Sequence, residues 1–174
     1  MKRSLDVVFE GLAHRARITN EAHPFWPCRA GCDGCCRKLA DVPRVSRAEW
    51  ELLAEGIAAL APGARAEVED GLDALAASPP PEGAHVICPM LDRDRGECRV
   101  YAHRPAACRS YGYYVRRLDV LACELVVGAV ESERAEVVWG NHVALEDDLA
   151  RGFGEARPVT AWWREAVGRV RGRV

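Results

Sequence analysis

Apolar residues recur at helical spacing near the start of the chain, at Leu5, Val8, Phe9 and Leu12, and Ser4 precedes them as an N-cap, so a helix is expected over residues 4–19. The pattern stops at His23-Pro24-Phe25-Trp26-Pro27, where two prolines break the helix and hold the chain extended. These aromatics are expected to shield the cysteine loop that begins at Cys28. Val42-Pro43-Arg44-Val45 reads as an extended connector. Ser46-Arg47-Ala48-Glu49 is a capping box, and it opens a helix to about Leu60 with Trp50, Leu53 and Ile57 as its buried stripe. Pro62-Gly63 is expected to end that element. A third helix, from about Ala64 to Ala77, carries Val68, Leu72 and Leu75 on one face and completes a helical hairpin.

The second half is less regular. Residues 84–91 and 98–101 are β-prone on either side of the turn Asp92-Arg93-Asp94-Arg95-Gly96, which predicts a small hairpin with Cys88 and Cys98 near the same end. Pro105 suits the first turn of a short helix over 105–110 that carries Cys108. The run Leu125-Val126-Val127 fits strand or helix, because so short an apolar run has no decisive period. Helices are expected over 142–151 and 160–170, the latter capped by Thr160 with Trp162, Trp163, Val167 and Val170 as apolar positions. Ser78-Pro79-Pro80-Pro81 is a local linker, too short to part domains. The fold class predicted is mainly α: one small helical domain over 1–174 with a short β-hairpin, its core at about 25–125 and a C-terminal helical part at about 126–174.

Composition narrows the function classes. The 174 residues are nearly half apolar, so a sizeable core can form without covalent staples. A net charge of −2 argues against bulk nucleic-acid affinity, which needs clustered cations against phosphates. No run approaches the roughly 18 apolar residues of a membrane span, and Asp6 and Glu10 interrupt any signal-peptide core behind Met1-Lys2-Arg3. The expectation is a cytoplasmic protein with neither nucleic acid nor membrane as partner, in a reducing compartment where eight cysteines favour metal over disulfides. Nothing in the pattern bears on oligomeric state.

Four of those thiols crowd into one stretch, Cys28-Arg29-Ala30-Gly31-Cys32-Asp33-Gly34-Cys35-Cys36. A packing cysteine can sit anywhere in a core, whereas a metal needs soft thiolates converging from short loops. The two residues between Cys32 and Cys35 allow a tight turn that aims both sulfurs inward, and Asp33-Gly34 supplies that turn. Cys28 can close on the same centre. Cys36, adjacent to a ligand, is expected to point elsewhere, toward a second metal, a bridging role or a redox partner. Cys88, Cys98 and Cys108 come at longer intervals, and then Cys123. Two groups of thiols can build one mixed site or two, holding a [4Fe–4S] cluster or zinc. Arg29, Arg37, Arg99 and Arg109 each follow a cysteine directly, and guanidinium groups so placed would hold thiols in the deprotonated, ligating form.

The strings Cys32-Asp33-Gly34-Cys35-Cys36-Arg37, Cys88-Pro89-Met90-Leu91 and Gly96-Glu97-Cys98-Arg99-Val100-Tyr101-Ala102-His103-Arg104-Pro105-Ala106-Ala107-Cys108-Arg109 resemble the CxxCxxCC cysteine-cluster family, also called YkgJ-like, of zinc- or iron-chelating proteins. The likeness spans about residues 28–123, with three residues between Cys28 and Cys32 where the family's name has two. It implies a metal ion or cluster held by these cysteines, with Cys32, Cys35, Cys88, Cys98 and Cys108 least replaceable and Cys28, Cys36 and Cys123 open to extra roles. A flagellin lysine methylase is similar in the same motifs, which implies an enzymatic alternative with a protein or peptide substrate beside the cluster.

Three readings therefore stand: a metal-binding protein, a protein-modifying enzyme, and a redox or electron-transfer protein in which Cys36 is the extra thiol. No glycine-rich phosphate loop, Gly-x-Ser-x-Gly elbow or His-Glu-x-x-His helix is present, so hydrolytic and nucleotide-driven chemistry have no support and no catalytic residue is assigned. Of the scattered histidines only His103, inside the second block, is a candidate ligand or supporting donor. Tyr101, Tyr111, Tyr113 and Tyr114 fall among Arg99, Arg104, Arg109, Arg116 and Arg117. The first expectation is that the tyrosines wall the centre from water while the arginines are solvated; the second is an anion- or peptide-binding face. Glu146-Asp147-Asp148 reads as a solvated helix face.

Overall fold

The computed structural model describes residues 4–81 and 83–171, the last three as backbone only. Met1-Lys2-Arg3 and the side chain of Val170 lie outside the described residues. Eight α-helices make up most of what is described: α1 (Leu5–Ala22), α2 (Gly34–Arg37), α3 (Arg47–Ala58), α4 (Pro62–Ala77), α5 (Ala106–Ser110), α6 (Glu124–Glu133), α7 (His142–Phe153) and α8 (Val159–Arg171). Short strands tie them together. β1 (Arg44–Val45) pairs with β7 (Arg157–Pro158), β2 (Leu91–Asp92) with β3 (Glu97–Cys98), and β4 (Tyr114–Arg116) lies between β5 (Asp119–Leu121) and β6 (Gly140–Asn141). The protein is mainly α, as the periodicity predicts. Among the described residues no helix is long and apolar enough to cross a membrane.

Three apolar clusters form the interior, and four of the thiols, Cys28, Cys88, Cys98 and Cys123, lie along the borders of two of them. The largest joins Trp50, Leu53 and Ile57 of α3, Val68 and Leu72 of α4, and Val159 and Trp162 of α8, with Cys88 and Cys98 packed against it. The second sets Val8 and Leu12 of α1 on Ala106 of α5, flanked by Leu145, Leu149 and Phe153 of α7. The third holds Trp26, Tyr113 and Val126, with Cys28 and Cys123 against it. The C-terminal helix thus shares the core of α3 and α4. Its Trp162 ring N–H donates to the Val45 carbonyl at 2.9 Å, so the indole is buried with its one polar atom satisfied.

Most local signals act as read, and the departures have identifiable causes. Ser4 caps α1 by accepting from the Asp6 N–H at 3.2 Å, and Ser46 and Glu49 form the capping box. Pro62 does not stand outside a helix; it is the first residue of α4, where its missing N–H is no loss. Thr160 is buried within α8 rather than capping it, because the chain enters directly from β7 and the Val159 N–H is already bound by the Pro43 carbonyl at 2.9 Å. Leu125-Val126-Val127 is helical in α6. The predicted hairpin forms with Leu91 opposite Cys98, but it is short, since Val86 instead exchanges both backbone hydrogen bonds with Leu39.

A buried carboxylate connects two of these helices. Glu49 is 3% exposed; one oxygen accepts from the Ser46 N–H and hydroxyl at 2.8 and 2.7 Å, and the other accepts from the Ala106 N–H at 2.8 Å. It therefore caps α3 and the start of α5, the helix that carries Cys108. Removing it leaves buried donors unpaired. Glu49→Ala is expected to cost about 2–4 kcal/mol in denaturant melts; a change below about 0.5 kcal/mol would show that the link carries no stability.

Candidate metal centre

The cysteine stretch is held open by aromatic packing and then wound into a single helical turn. The Tyr113 hydroxyl donates to the Cys28 carbonyl at 3.1 Å, and Trp26 lies against Tyr113 and Trp139 with ring centres 6.0 and 5.6 Å apart. The expected aromatic shield is there. The Cys32 N–H donates to the Arg29 carbonyl at 3.1 Å, after which α2 presents Cys35 and Cys36 on consecutive positions. Gly112 has φ of 88°, and a Cβ there would stand 2.6 Å from the Cys28 sulfur, so only glycine fits.

Other segments bring the remaining thiols. Arg37 pairs with Asp33 at 2.5 Å and donates to the Arg93 carbonyl at 3.0 Å, which docks the β2–β3 turn on the cysteine stretch and sets Cys98 beside it. The Cys88 N–H donates to the Cys36 carbonyl at 2.8 Å. Cys108 rides on α5, and Cys123 stands at the N-cap of α6, its sulfur 3.8 Å from where a Cβ on Gly34 would be. All eight cysteines are free and half-buried.

Burial and the crowding of sulfurs suppress the ionisation of Cys28, Cys35, Cys36, Cys98 and Cys108. Burial pushes the Cys28 thiol up to about 12, with Cys123, Cys32 and Cys35 adding to the effect. Cys35 is pushed up further, first by hydrogen bonding with the Cys36 thiol and then by burial. Cys36 stands at about 12: the bond from Cys35 lowers it, but the bond to Cys88, burial, and the charges of Cys88 and Cys98 outweigh that. Burial raises Cys98 and takes Cys108 up to about 12, where Cys36, Cys98 and Cys35 add to it.

The opposing cation is Arg104, which lowers Cys28, Cys35, Cys98 and Cys108 alike. The expectation for the arginines that follow a cysteine holds in part: Arg29 and Arg109 line the thiol cavity, and, although burial works against it, the Cys108 charge favours the cationic form of Arg109. Arg37 is taken by Asp33, and Arg99 by Glu67 at 2.6 Å and Asp92 at 3.4 Å, while Arg109 also donates to the carbonyls of Arg104 and Ala102 at 2.7 and 2.6 Å. For Arg37 and Arg99 nearby oxygens win because they are within reach without desolvating a thiolate. Arg104 could have been found from its place between Cys98 and Cys108, within about one helical turn of the latter.

Beside the thiols lies a cavity of about 600 Å³, lined by Cys28, Cys32, Cys35, Cys108 and Cys123, by Tyr101, Tyr111 and Tyr113, and by Ala13, Ala16, Arg17 and Asn20 of α1. Three of the four tyrosines therefore face the site, while Tyr114 packs on Gly140. The arginines divide. Arg104 lies over the Tyr101 ring at 3.6 Å and Arg109 over Phe9 at 4.2 Å, whereas Arg116 is an exposed partner of Glu146 at 3.2 Å. His103 turns away, its ring 2.6 Å from the place of a Cβ on Gly56 of α3. The contribution of α1 to the cavity was legible only as small residues at helical spacing.

Among the described residues, no group of three or more His, Cys, Asp and Glu side chains forms a ready-made ion site. The donor set nonetheless suits a soft metal: free thiols from five segments, which give up their protons on binding a cation. No curated protein and no solved structure matches the chain. A family profile described as a "putative zinc- or iron-chelating domain" matches residues 27–136. The match covers well over half of the sequence and takes in all eight cysteines, and the chain belongs to that family, CxxCxxCC.

Proposed function

We propose that the protein holds an iron–sulfur cluster of the [4Fe–4S] type through the thiols of Cys28, Cys32, Cys35, Cys36, Cys88, Cys98, Cys108 and Cys123, of which four are needed for one cubane. The observation that carries this is the free thiols of Cys28, Cys35, Cys98 and Cys108, brought from three separate segments to one guanidinium, Arg104. Zinc is the alternative metal. A closed zinc site favours ligands in short-turn pairs, and Cys32/Cys35 is the one such pair in the sequence. A cubane is bulkier and accepts ligands from distant segments, and the cavity of about 600 Å³ against the thiols is far larger than an ion. Cys88-Pro89 adds the cysteine–proline step common among cluster ligands.

Such a cluster supplies a compact store for one electron or a rigid cross-link. The chain's own residues bind and enclose it: the thiols ligate, Arg104 offsets their charge, and Trp26 and Tyr113 exclude water on one side. A second reading is favoured by the same cavity, whose size suits a small ligand or a side chain of a protein substrate and whose lining includes Arg17, Asn20 and Tyr101 besides the thiols. In that reading the cluster sits beside a substrate site.

Protein purified without oxygen from iron-replete cells is expected to be brown and to contain iron with acid-labile sulfide. Stoichiometric zinc without sulfide in the same preparation would reject the cluster and leave a structural zinc protein. Stripping the metal is expected to abolish the cooperative thermal melt, because structural zinc in finger peptides contributes about 10–16 kcal/mol, as much as a whole domain's stability. An unchanged melt after stripping, followed by circular dichroism, would make the centre an accessory of an already stable fold.

A further inference from the structure

We infer that the eight thiols form two four-thiol metal sites, Cys28/Cys32/Cys35/Cys123 and Cys36/Cys88/Cys98/Cys108, which share a wall at the Cys35–Cys36 peptide; this rests on the proposal that the protein binds metal. The division cuts across the sequence. Spacing alone groups Cys36 with its own stretch and Cys123 with the later cysteines.

Helix geometry divides the two adjacent residues between the sets. Consecutive side chains on a helix diverge by about 100°, so although the Cys35 and Cys36 thiols touch in α2, they meet different further sulfurs: Cys36 also bonds the Cys88 thiol, while Cys35 shares a cavity with Cys28, Cys32 and Cys123. Cys35 lines the large cavity with Cys28, Cys32 and Cys123, and Cys36 does not. The Cys36 backbone instead binds Cys88, carbonyl to N–H at 2.8 Å. A second, apolar cavity is lined by Cys88, Cys98 and Cys108 together with Pro89 and Met90; Cys36 lines neither cavity and joins this set through Cys88.

Packing makes the same division. Cys28 and Cys123 border the Trp26 cluster, while Cys88 and Cys98 border the Trp50 cluster. Gly34 and Gly112 leave room for the Cys123 and Cys28 sulfurs on the first side. Cys108 touches both cavities; Cys28, Cys32, Cys35 and Cys123 already make four around the first, so Cys108 falls to the second with Cys88 and Cys98. Arg104 also borders both cavities, so one guanidinium can serve both sets. Staggered rotation of each cysteine side chain is the movement that closes each set on a metal.

The test is titration of the full chain, reduced and metal-stripped under argon, with cobalt(II), read by thiolate charge-transfer absorbance and by native mass after desalting. Two cobalt ions per chain are expected. The double variants Cys28→Ser/Cys123→Ser and Cys88→Ser/Cys98→Ser are each expected to retain one, and that retained ion reports that the other half still folds. One ion per chain in the unaltered protein overturns the division without any appeal to variants. Two ions in the parent with both lost in either double variant would mean a single joint centre, which also overturns it. No cobalt at all would defeat the metal-binding reading itself, an outcome distinct from the other two.

Discussion

Sulfur atoms crowded together and half-withdrawn from water cannot all ionise unless positive charge is brought among them. Each proton lost makes the next harder to remove, because the new thiolate repels its neighbours through a medium that screens poorly. The raised thiols of Cys28, Cys35, Cys36, Cys98 and Cys108 express that constraint. One guanidinium, Arg104, faces many sulfurs, and it is itself anchored by donating to the Tyr101 carbonyl at 3.1 Å. A single fixed cation cannot neutralise so many thiolates, and a metal centre is the partner that would.

The scaffold serves this constraint by holding backbone, not by pre-closing the sulfurs. Each thiol-bearing segment is pinned near its cysteine by a contact of another kind: Tyr113 on the Cys28 carbonyl, Arg37 on the hairpin turn, the Cys36 carbonyl on Cys88, and Glu49 on the start of α5. These contacts come from all three apolar clusters, so the site depends on every part of the core being in place. Conversely, a metal bound there would tie those clusters together, which is the physical content of coupling between binding and folding.

The aromatic side and the α1 side of the site differ in character. Trp26, Tyr113 and Trp139 pack in one apolar cluster against Cys28, whereas α1 offers small and polar residues to the cavity. That asymmetry is compatible with a cluster protected from water on one face and approachable by a partner or substrate on the other.

Much of this protein is local and therefore readable in the chain itself. The Ser46–Glu49 capping box, the apolar stripe of α3, the Ser4 cap and the Cys32–Cys35 turn each depend on residues within a few positions of one another. So does the thiol inventory that marks the family. What only the tertiary structure decides is which thiols become neighbours and which charge they face. Cys36 reaches Cys88 while Cys35 faces the large cavity because adjacent helical positions diverge, and Cys123 joins Cys28 because α6 packs over Gly34. Arg37 and Arg99 are taken by nearer carboxylates, while Arg104, anchored on the Tyr101 carbonyl, faces the thiols. Local periodicity and spacing determine the elements and the donors; long-range packing, which no spacing encodes, determines how the donors are shared.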